Sequence, residues 1–340
     1  MKKIIIVSIS VVILLILLYG AGEILSTRKV SCTIEIKRGD SIRKIANQVA
    51  KKTPFSPSFF LLTVKLLNVD KKIKAGYYSF SSYYNLVDFV KRLTKGEAKL
   101  VKITFPEGLN CFEVFDKLIK NGLGKKEIYV QYFYNPGDFL PDNFKNATTL
   151  EGFLFPDTYL FRANASEKEV IEQMVSRFKE VFKKAKESGC KINEKTSLDD
   201  YDVLKLASLV EKETSVKSEM PVIASVFYNR LKKGMRLECD PTIIYALTLE
   251  GRYDGNIRKK DIRMKHPFNT YYIRGLPPTP IANPGFYAIK SAFCPAKTDY
   301  LFFVSNNKGK HLFSKTYNQH LKYVKEYQVN YWRRKWRKKR

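Results

Sequence analysis

An uncharged, apolar segment near the start of the chain constrains its fold more than any other feature. No charged residue occurs from Ile4 to Gly22, and Lys2 and Lys3 precede this segment. A stretch of about 20 apolar residues is long enough to cross the hydrocarbon core of a bilayer as a helix. We therefore predict a cytoplasmic N-terminus over residues 1–3 and a transmembrane helix over residues 4–22.

A cleaved secretory signal is the alternative interpretation of this segment. The apolar core of such a signal is usually shorter, about 7–15 residues, and ends at an A-x-A-like cleavage site. Here Gly20, Ala21 and Gly22 match that site poorly, which favours an uncleaved anchor. The positive-inside rule keeps the two lysines in the cytoplasm. The sequence thus predicts a single-pass protein of the cytoplasmic (inner) membrane, with its remaining residues outside the cytoplasm.

The charge of the chain predicts an anionic partner. Lys and Arg number 61 against 33 Asp and Glu, a formal net charge of +28. Nucleic acid, anionic lipid and an anionic wall polymer would all fit this charge, but the predicted location disfavours nucleic acid. The basic tail over residues 326–340 carries Trp332 and Trp336 among its Lys and Arg residues. We predict contact of this tail with anionic lipid; a solvated tail without a ligand is the alternative.

The cysteines and histidines do not predict a metal centre. The cysteines lie dozens of residues apart, and no C-x-x-C motif occurs. We expect them to be small buried hydrophobic residues rather than a disulfide framework. No ligand spacing is found among the histidines either. The cysteines are Cys32, Cys111, Cys190, Cys239 and Cys294.

The order of the periodic segments predicts an α+β fold. Residues 33–37 alternate like a half-buried strand, Ser41 can cap an amphipathic helix, and residues 76–80 form an aromatic strand pattern. These elements predict a small α/β module over residues 31–98. The longer region over residues 99–325 predicts a larger mixed α+β domain.

Two carboxylates lie at opposite edges of the apolar face of a helix that we predict to begin at Asp202. At about 100° per residue, Glu211 lies between Leu204 and Ala207, and Glu213 lies on the other edge. Partial desolvation of a carboxylic acid favours the protonated form that a general acid needs. Ordinary surface glutamates would give the same pattern, and periodicity does not select between the two.

Segments rich in proline and glycine follow this helix. The Pro-rich residues 275–280 can form neither a helix nor a central strand, so we predict an extended loop. Tyrosines and asparagines near the starts of capped helices could line a carbohydrate groove, although such residues are common in structural roles.

Eight short segments occur in a fixed order. They are EGFLFPDTY (151–159), LASLVEKET (206–214), ASVFYNRL (224–231), GMRL (234–237), DPT (240–242), NTY (269–271), GLPP (275–278) and PAK (295–297). In this order they resemble the endolytic murein transglycosylase family (MltG, or YceG-like), and the resemblance covers nearly the whole chain.

The resemblance implies a function. It implies a single-pass membrane protein with a LysM-like module over residues 31–98 and a catalytic domain over residues 99–325. Members of the family bind peptidoglycan glycan strands and cut nascent strands internally after N-acetylmuramic acid. Cleavage leaves a 1,6-anhydro ring and ends elongation. Peptidoglycan synthases are expected partners, and neither nucleic acid, metal nor organic cofactor is expected.

The family's catalytic glutamate falls on Glu211, the first Glu of the E-K-E-T segment. Ordinary retaining glycosidases use two carboxylates about 5–5.5 Å apart. A transglycosylase can use the substrate's own C6 hydroxyl instead of water, so one residue can act first as acid and then as base. Our candidates for substrate orientation are Asn229, Asp240, Asn269 and Tyr271. The alternative function is a non-catalytic, membrane-anchored peptidoglycan-binding scaffold, which the intact E-K-E-T segment disfavours.

Overall fold

The computed structural model describes residues 2–37, 39–96, 100–188, 198–331, 333 and 335. Helices and two-stranded sheets alternate along the chain, so the predicted α+β class is confirmed. The chain divides into two compact units. The first comprises Met1–Lys102 with Leu160–Ala165, and the second comprises Ile103–Tyr159 with Ser166–Arg340. The predicted division at residues 98 and 99 stays a prediction.

The first unit is built on one antiparallel strand pair. Strand β1 (Arg28–Ile36) pairs with β2 (Gly76–Tyr84) along its whole length. Its helices are α1 (Lys2–Leu25), α2 (Ile42–Lys52), α3 (Pro57–Leu66) and α4 (Leu86–Lys95). The side chain of Ser41 accepts a hydrogen bond from the Lys44 amide, which confirms the predicted N-cap of α2. The likeness of this unit to a LysM module stays a prediction.

The apolar faces of these elements meet in one core. The Phe80 ring of β2 stacks on the Phe89 ring of α4 at 4.2 Å between centroids. The Tyr78 hydroxyl donates to the Leu93 carbonyl at 2.8 Å, so its polar atom is satisfied inside the core. Other buried members of this core are Ile34, Ile45, Val49, Phe60 and Val90.

The predicted transmembrane helix over residues 4–22 is not confirmed. Residues Lys2–Leu25 are helical. Across the described part of the chain, no helix combines the length and the apolar character that crossing a membrane requires. Met1 and the side chains of residues 2–9 lie outside that described part.

The second unit is largely helical. Strands β3 (Leu100–Thr104) and β4 (Thr158–Arg162) pair, and each has residues in both units. The hairpin of β5 (Phe302–Ser305) and β6 (His311–Ser314) lies near the end of the second unit. Its first helices are α5 (Cys111–Lys120), α6 (Lys126–Tyr134), a 3-10 turn (Asp142–Phe144), α7 (Glu167–Lys186) and α8 (Asp200–Glu213). The later ones are α9 (Met220–Lys232), α10 (Asp240–Leu249), α11 (Lys259–Ile262), α12 (Phe286–Phe293), α13 (Tyr317–Tyr323) and a π-helix (Val324–Asn330).

Helix α8 lies at the centre of the second unit, because it packs against α9, α10 and α12. Its residues from Tyr201 to Val210 are buried apart from Asp202 and Lys205. An aromatic cluster covers its first turns, in which Tyr201 stacks on Phe153 and Phe144 packs edge-on against both. Burial on nearly every side fixes the helix, and with it the carboxylates of its last turn.

The expectation for the cysteines is wrong at one position. Cys32, Cys111 and Cys239 are free, and the last two are buried. Cys294, however, is disulfide-bonded. Spacing along the sequence could not indicate this bond, because disulfide formation depends on distance in the fold. Of the predicted basic tail, Trp332, Arg334 and residues 336–340 lie outside the described residues.

Candidate active site

Glu211 lies in the last turn of α8, two residues before the helix ends at Glu213. Leu204 and Ala207, which the periodicity places beside it, are fully buried. Glu211 itself is half-buried. The central helix therefore holds this carboxyl group at the boundary between core and solvent.

The carboxylate of Glu211 accepts a hydrogen bond from the N-cap residue of α12. Its Oε2 lies 2.9 Å from the amide nitrogen of Gly285, the N-cap of α12. A helix N-terminus carries unpaired amides and partial positive charge, so it favours the ionised form of a carboxyl group. The carboxylate thus has a stabilising partner whenever it loses its proton.

Burial favours the protonated form of Glu211, and this effect on the pKa is larger than that of the Gly285 hydrogen bond. The pKa of Glu211 is raised from its usual 4.5 to about 7, chiefly by desolvation and to a smaller extent by the charge of nearby Glu107. The Gly285 hydrogen bond and the cations Lys212 and Lys217 lower the pKa without cancelling the desolvation. The group is therefore able to hold a proton near neutral pH and to release it, which is what general acid–base chemistry requires.

The loop after β3 closes one side of Glu211. Gly108 is buried with φ 79, and a side chain there would begin 3.6 Å from the Cγ of Glu211. Its amide donates to the Asn283 carbonyl at 3.0 Å, and its carbonyl accepts from Lys212 Nζ at 3.0 Å. The left-handed backbone favours glycine at this position, whereas 3.6 Å is an ordinary van der Waals distance.

An exposed aromatic ring lies against Lys217, one of the cations that act on Glu211. Tyr287, in the first turn of α12, is 44% exposed. Lys217 Nζ lies 4.2 Å from the centroid of its ring, and the Lys217 charge acts on Glu211. Tyr287 and Lys217 therefore form an exposed aromatic–cation pair.

Glu213 has a different environment, although its pKa is also raised to about 7 by desolvation. The thiol of Cys239 donates to its carboxylate and, with the charge of Arg230, lowers the pKa; the charge of Asp240 raises it. Cys239 and Arg230 are both buried, and Arg230 bonds to three backbone carbonyls and to Glu238. The pKa does not separate the two glutamates, and each has an exposed acidic neighbour, Glu107 for Glu211 and Asp240 for Glu213.

Two of the predicted orienting residues hold the backbone. The Asn229 amide donates to the carbonyls of Thr298 and Tyr300 at 2.8 and 2.9 Å. Asn269 is fully buried, and its amide donates to the carbonyls of Ile262 and Met264 at 3.0 and 2.7 Å. These side-chain amide nitrogens serve loop structure rather than facing a groove.

The other two predicted residues form a pair. The Tyr271 hydroxyl donates to Asp240 Oδ1 at 2.7 Å, and Asp240 is exposed. Asp240 acts electrostatically on Glu213. Among the described residues, no hydrogen bond joins Asn229, Asp240, Asn269 or Tyr271 to Glu211. The sequence missed the residues that do bond to Glu211, pack near it or act on its charge, namely Glu107, Gly108, Lys217 and Gly285.

Comparison with known proteins identifies the family. Residues 34–326 match the YceG-like family. The chain belongs to the YceG-like family. This confirms the resemblance seen in the sequence.

Two relatives of this YceG-like chain carry the same name, and a solved structure of a yceG-like protein is similar to it. An endolytic murein transglycosylase of Bacillus subtilis (strain 168) is 32% identical over 331 residues, covering 91% of this chain and 89% of the relative. An endolytic murein transglycosylase of Streptococcus pneumoniae (strain D39) is 27% identical, covering 87% of this chain and 58% of the relative. A crystal structure of a yceG-like protein from Listeria monocytogenes has a TM-score of 0.56 and 33% identity, covering 87% of this chain and 99% of that one.

Proposed function

We propose that this chain is an endolytic lytic transglycosylase that cuts peptidoglycan glycan strands, with Glu211 as its catalytic acid and base. The proposal is carried by the environment of the Glu211 carboxyl. This group has a pKa of about 7 and accepts a hydrogen bond from the amide of Gly285, the N-cap of α12. Two relatives bear the name endolytic murein transglycosylase.

The reaction needs two proton transfers at one group. Glu211 first gives its proton to the glycosidic oxygen between N-acetylmuramic acid and N-acetylglucosamine, and the bond from that oxygen to C1 breaks. The C6 hydroxyl oxygen of the muramyl residue then bonds to C1, and its proton returns to Glu211. The product carries a 1,6-anhydro ring, and no water is consumed. Between the two steps, the Gly285 amide stabilises the Glu211 carboxylate.

The substrate contacts belong to the same proposal. Asp240 and Tyr271 form an exposed hydrogen-bonding pair that could bind sugar hydroxyls. Asn229 and Asn269 act through the backbone they hold, so we assign them the support of groove loops rather than direct contact.

The cellular setting is a further part of the proposal. We infer a single-pass anchor over residues 4–22 from its uncharged sequence behind Lys2 and Lys3. A LysM-like module over residues 31–98 would hold the glycan, peptidoglycan synthases would supply nascent strands, and the basic tail would contact anionic lipid. A phosphatase fused after residue 325 should be active only outside the cytoplasm; activity inside would contradict the anchor's orientation.

Replacement of Glu211 tests the function directly. Glu211→Gln keeps the shape of the side chain but removes the transferable proton. Because general acid–base assistance is worth about 10²–10⁴-fold and one group serves both steps, we expect a loss near the upper end. The rate is measured by mass spectrometry of anhydro-ended fragments released from purified glycan strands.

Glu213→Gln is the matched control, because it lies on the same helix and has a pKa of about 7 as well. We expect it to cost much less activity than Glu211→Gln. Anhydro-ended products at a near wild-type rate from Glu211→Gln would refute its role. Reducing ends from the wild-type protein would refute the transglycosylase mechanism itself.

A further inference from the structure

A second carboxylate meets Glu211 at Gly285. A Cβ atom on Gly285 would lie 2.6 Å from Cγ of Glu107 and closer still to its carboxyl group. The amide of the same glycine donates to Glu211 at 2.9 Å. Two acidic side chains that are 104 positions apart along the sequence therefore converge on the N-cap residue of α12.

The backbone determines the position of Glu107. The amide of its neighbour Gly108 donates to the Asn283 carbonyl, and the Gly108 carbonyl accepts from Lys212. These hydrogen bonds hold the Pro106–Gly108 turn next to Glu211. The Glu107 side chain is exposed, whereas Glu211 is half-buried. Burial favours the protonated form of Glu211, and the exposed Glu107 lacks that burial.

We propose that Glu107 is a second catalytic carboxylate, whose negative charge stabilises the oxocarbenium-like transition state that forms when Glu211 protonates the glycosidic oxygen. This inference rests on the proposed function. Among the described residues, the charges that act on the Glu211 carboxyl are those of Glu107, Lys212 and Lys217, so Glu107 is the negative charge available to balance positive charge developing at C1. The C6 hydroxyl still attacks and still returns its proton to Glu211, so the atoms of the reaction are unchanged.

The first test is Glu107→Gln in the full-length protein, which removes the charge with little change in shape. We expect kcat to fall about 10²-fold, as for loss of one preorganised electrostatic group, with KM little changed. The alkaline limb of the pH–rate profile should move to lower pH, since a negative neighbour no longer favours the protonated form of Glu211. Glu127→Gln, at an exposed glutamate of α6, is the control and should change neither quantity.

The second test uses Gly285→Ala. The backbone of Gly285 has φ −80, which suits alanine, so the new methyl group would displace the flexible carboxyl of Glu107 rather than the helix start. We expect at least about a tenfold fall in kcat in the wild-type background. In the Glu107→Ala background the methyl group meets no carboxyl, so the same change should cost less than about twofold. Such non-additivity is what a shared interaction produces.

The outcomes separate this inference from the proposed function. If the wild-type protein forms anhydro ends while Glu107→Gln keeps the wild-type kcat and pH profile, the role of Glu107 is refuted and the function stands. A lower kcat with an unmoved alkaline limb would also refute it, because a merely structural contact would not act on the titration. If the wild-type protein forms no anhydro ends, the function itself fails.

Discussion

At the scale of single residues, opposing effects of unequal strength set the pKa of the Glu211 carboxyl. Burial at the end of α8 favours the neutral acid, while the Gly285 amide and two lysines favour the anion. Because burial prevails, the pKa reaches about 7. A stronger partner for the carboxylate would lower the pKa of Glu211, so the group would be ionised before it could donate its proton. In a fully buried site, the substrate hydroxyl could not reach the carboxylate to return the proton.

The balance predicts the effect of removing a cation. Lys217→Met deletes a positive charge that lowers the pKa of Glu211, so the alkaline limb of the pH–rate profile should move to higher pH. This shift is opposite in sign to that expected for Glu107→Gln. Initial rates of anhydro-product release between about pH 5 and 9 measure it.

The control for this change is Lys179→Met, at an exposed lysine of α7. It removes the same charge from the molecule and should leave the limb in place. A limb that does not move in Lys217→Met, or that moves equally in both variants, would show that Lys217 does not act on the catalytic acid.

Sequence reasoning reached Glu211 but not its surroundings. Periodicity placed Glu211 at the rim of a face that is indeed buried, and family resemblance was needed to choose it over Glu213. The partners Gly285 and Glu107 lie 74 positions after it and 104 before it, and no local pattern connects them. The four orienting residues stay predictions, although the side-chain amides of two of them are bonded to the backbone.

At the scale of elements, the site depends on a clamp between the loop after β3 and the segment before α12. Asn283 is buried, and its backbone accepts from Gly108 and donates to Leu109. Its side chain donates to the Leu109 carbonyl at 2.9 Å and accepts from the Leu154 amide at 2.9 Å. One residue thus holds three segments in register around Glu211.

Asn283→Ala should loosen this clamp. The variant leaves the buried Leu154 amide without its acceptor, which costs about 1–3 kcal/mol. Activity should fall as well, because Glu107 and Gly108 would lose a fixed position beside Glu211. Thermal denaturation and kcat are measured on the same preparation. Asn256→Ala, at an exposed loop asparagine, is the control; equal effects from both variants would argue against the clamp.

Element starts were predicted within a few residues. The N-cap at Ser41 is confirmed, whereas α8 begins at Asp200 rather than Asp202. The cap of α8 is Asp199, whose carboxylate accepts from the Asp202 amide at 2.8 Å. Three aspartates in four positions offer equivalent local caps, and only packing of the helix decides among them.

At the scale of the whole molecule, a chain with a net charge of +28 buries acids in its second unit. Glu151 is fully buried, and it accepts from the Cys111 amide at 3.0 Å and from the Tyr245 hydroxyl at 2.9 Å. Desolvation outweighs these bonds and raises its pKa to about 8. The order of the periodic segments predicted the α+β class, and the net charge predicted an anionic partner, but net charge cannot show which acids are inside.

Glu151 makes the stability of the protein depend on pH. Its pKa rises from 4.5 in the unfolded chain to about 8 in the fold, so between these values the folded state binds the proton that the unfolded state has lost. The free energy of unfolding should therefore fall as the pH rises from about 4.5 to 8 and level off above. Glu211 and Glu213, with pKa values of about 7, add to the same decline.

Glu151→Gln should remove the largest part of this decline. A glutamine keeps an acceptor for the Cys111 amide and can donate to the Tyr245 oxygen, but it has no proton to lose. We expect Tm near wild type at about pH 5 and several degrees above wild type at about pH 9, because a few kcal/mol of ionisation cost is absent. Thermal denaturation of the full-length protein across this range measures the difference, with Glu127→Gln as the exposed control. If Glu151→Gln and wild type lose stability in parallel as the pH rises, Glu151 is not the group that carries the cost, and the buried acid must already be ionised in the fold.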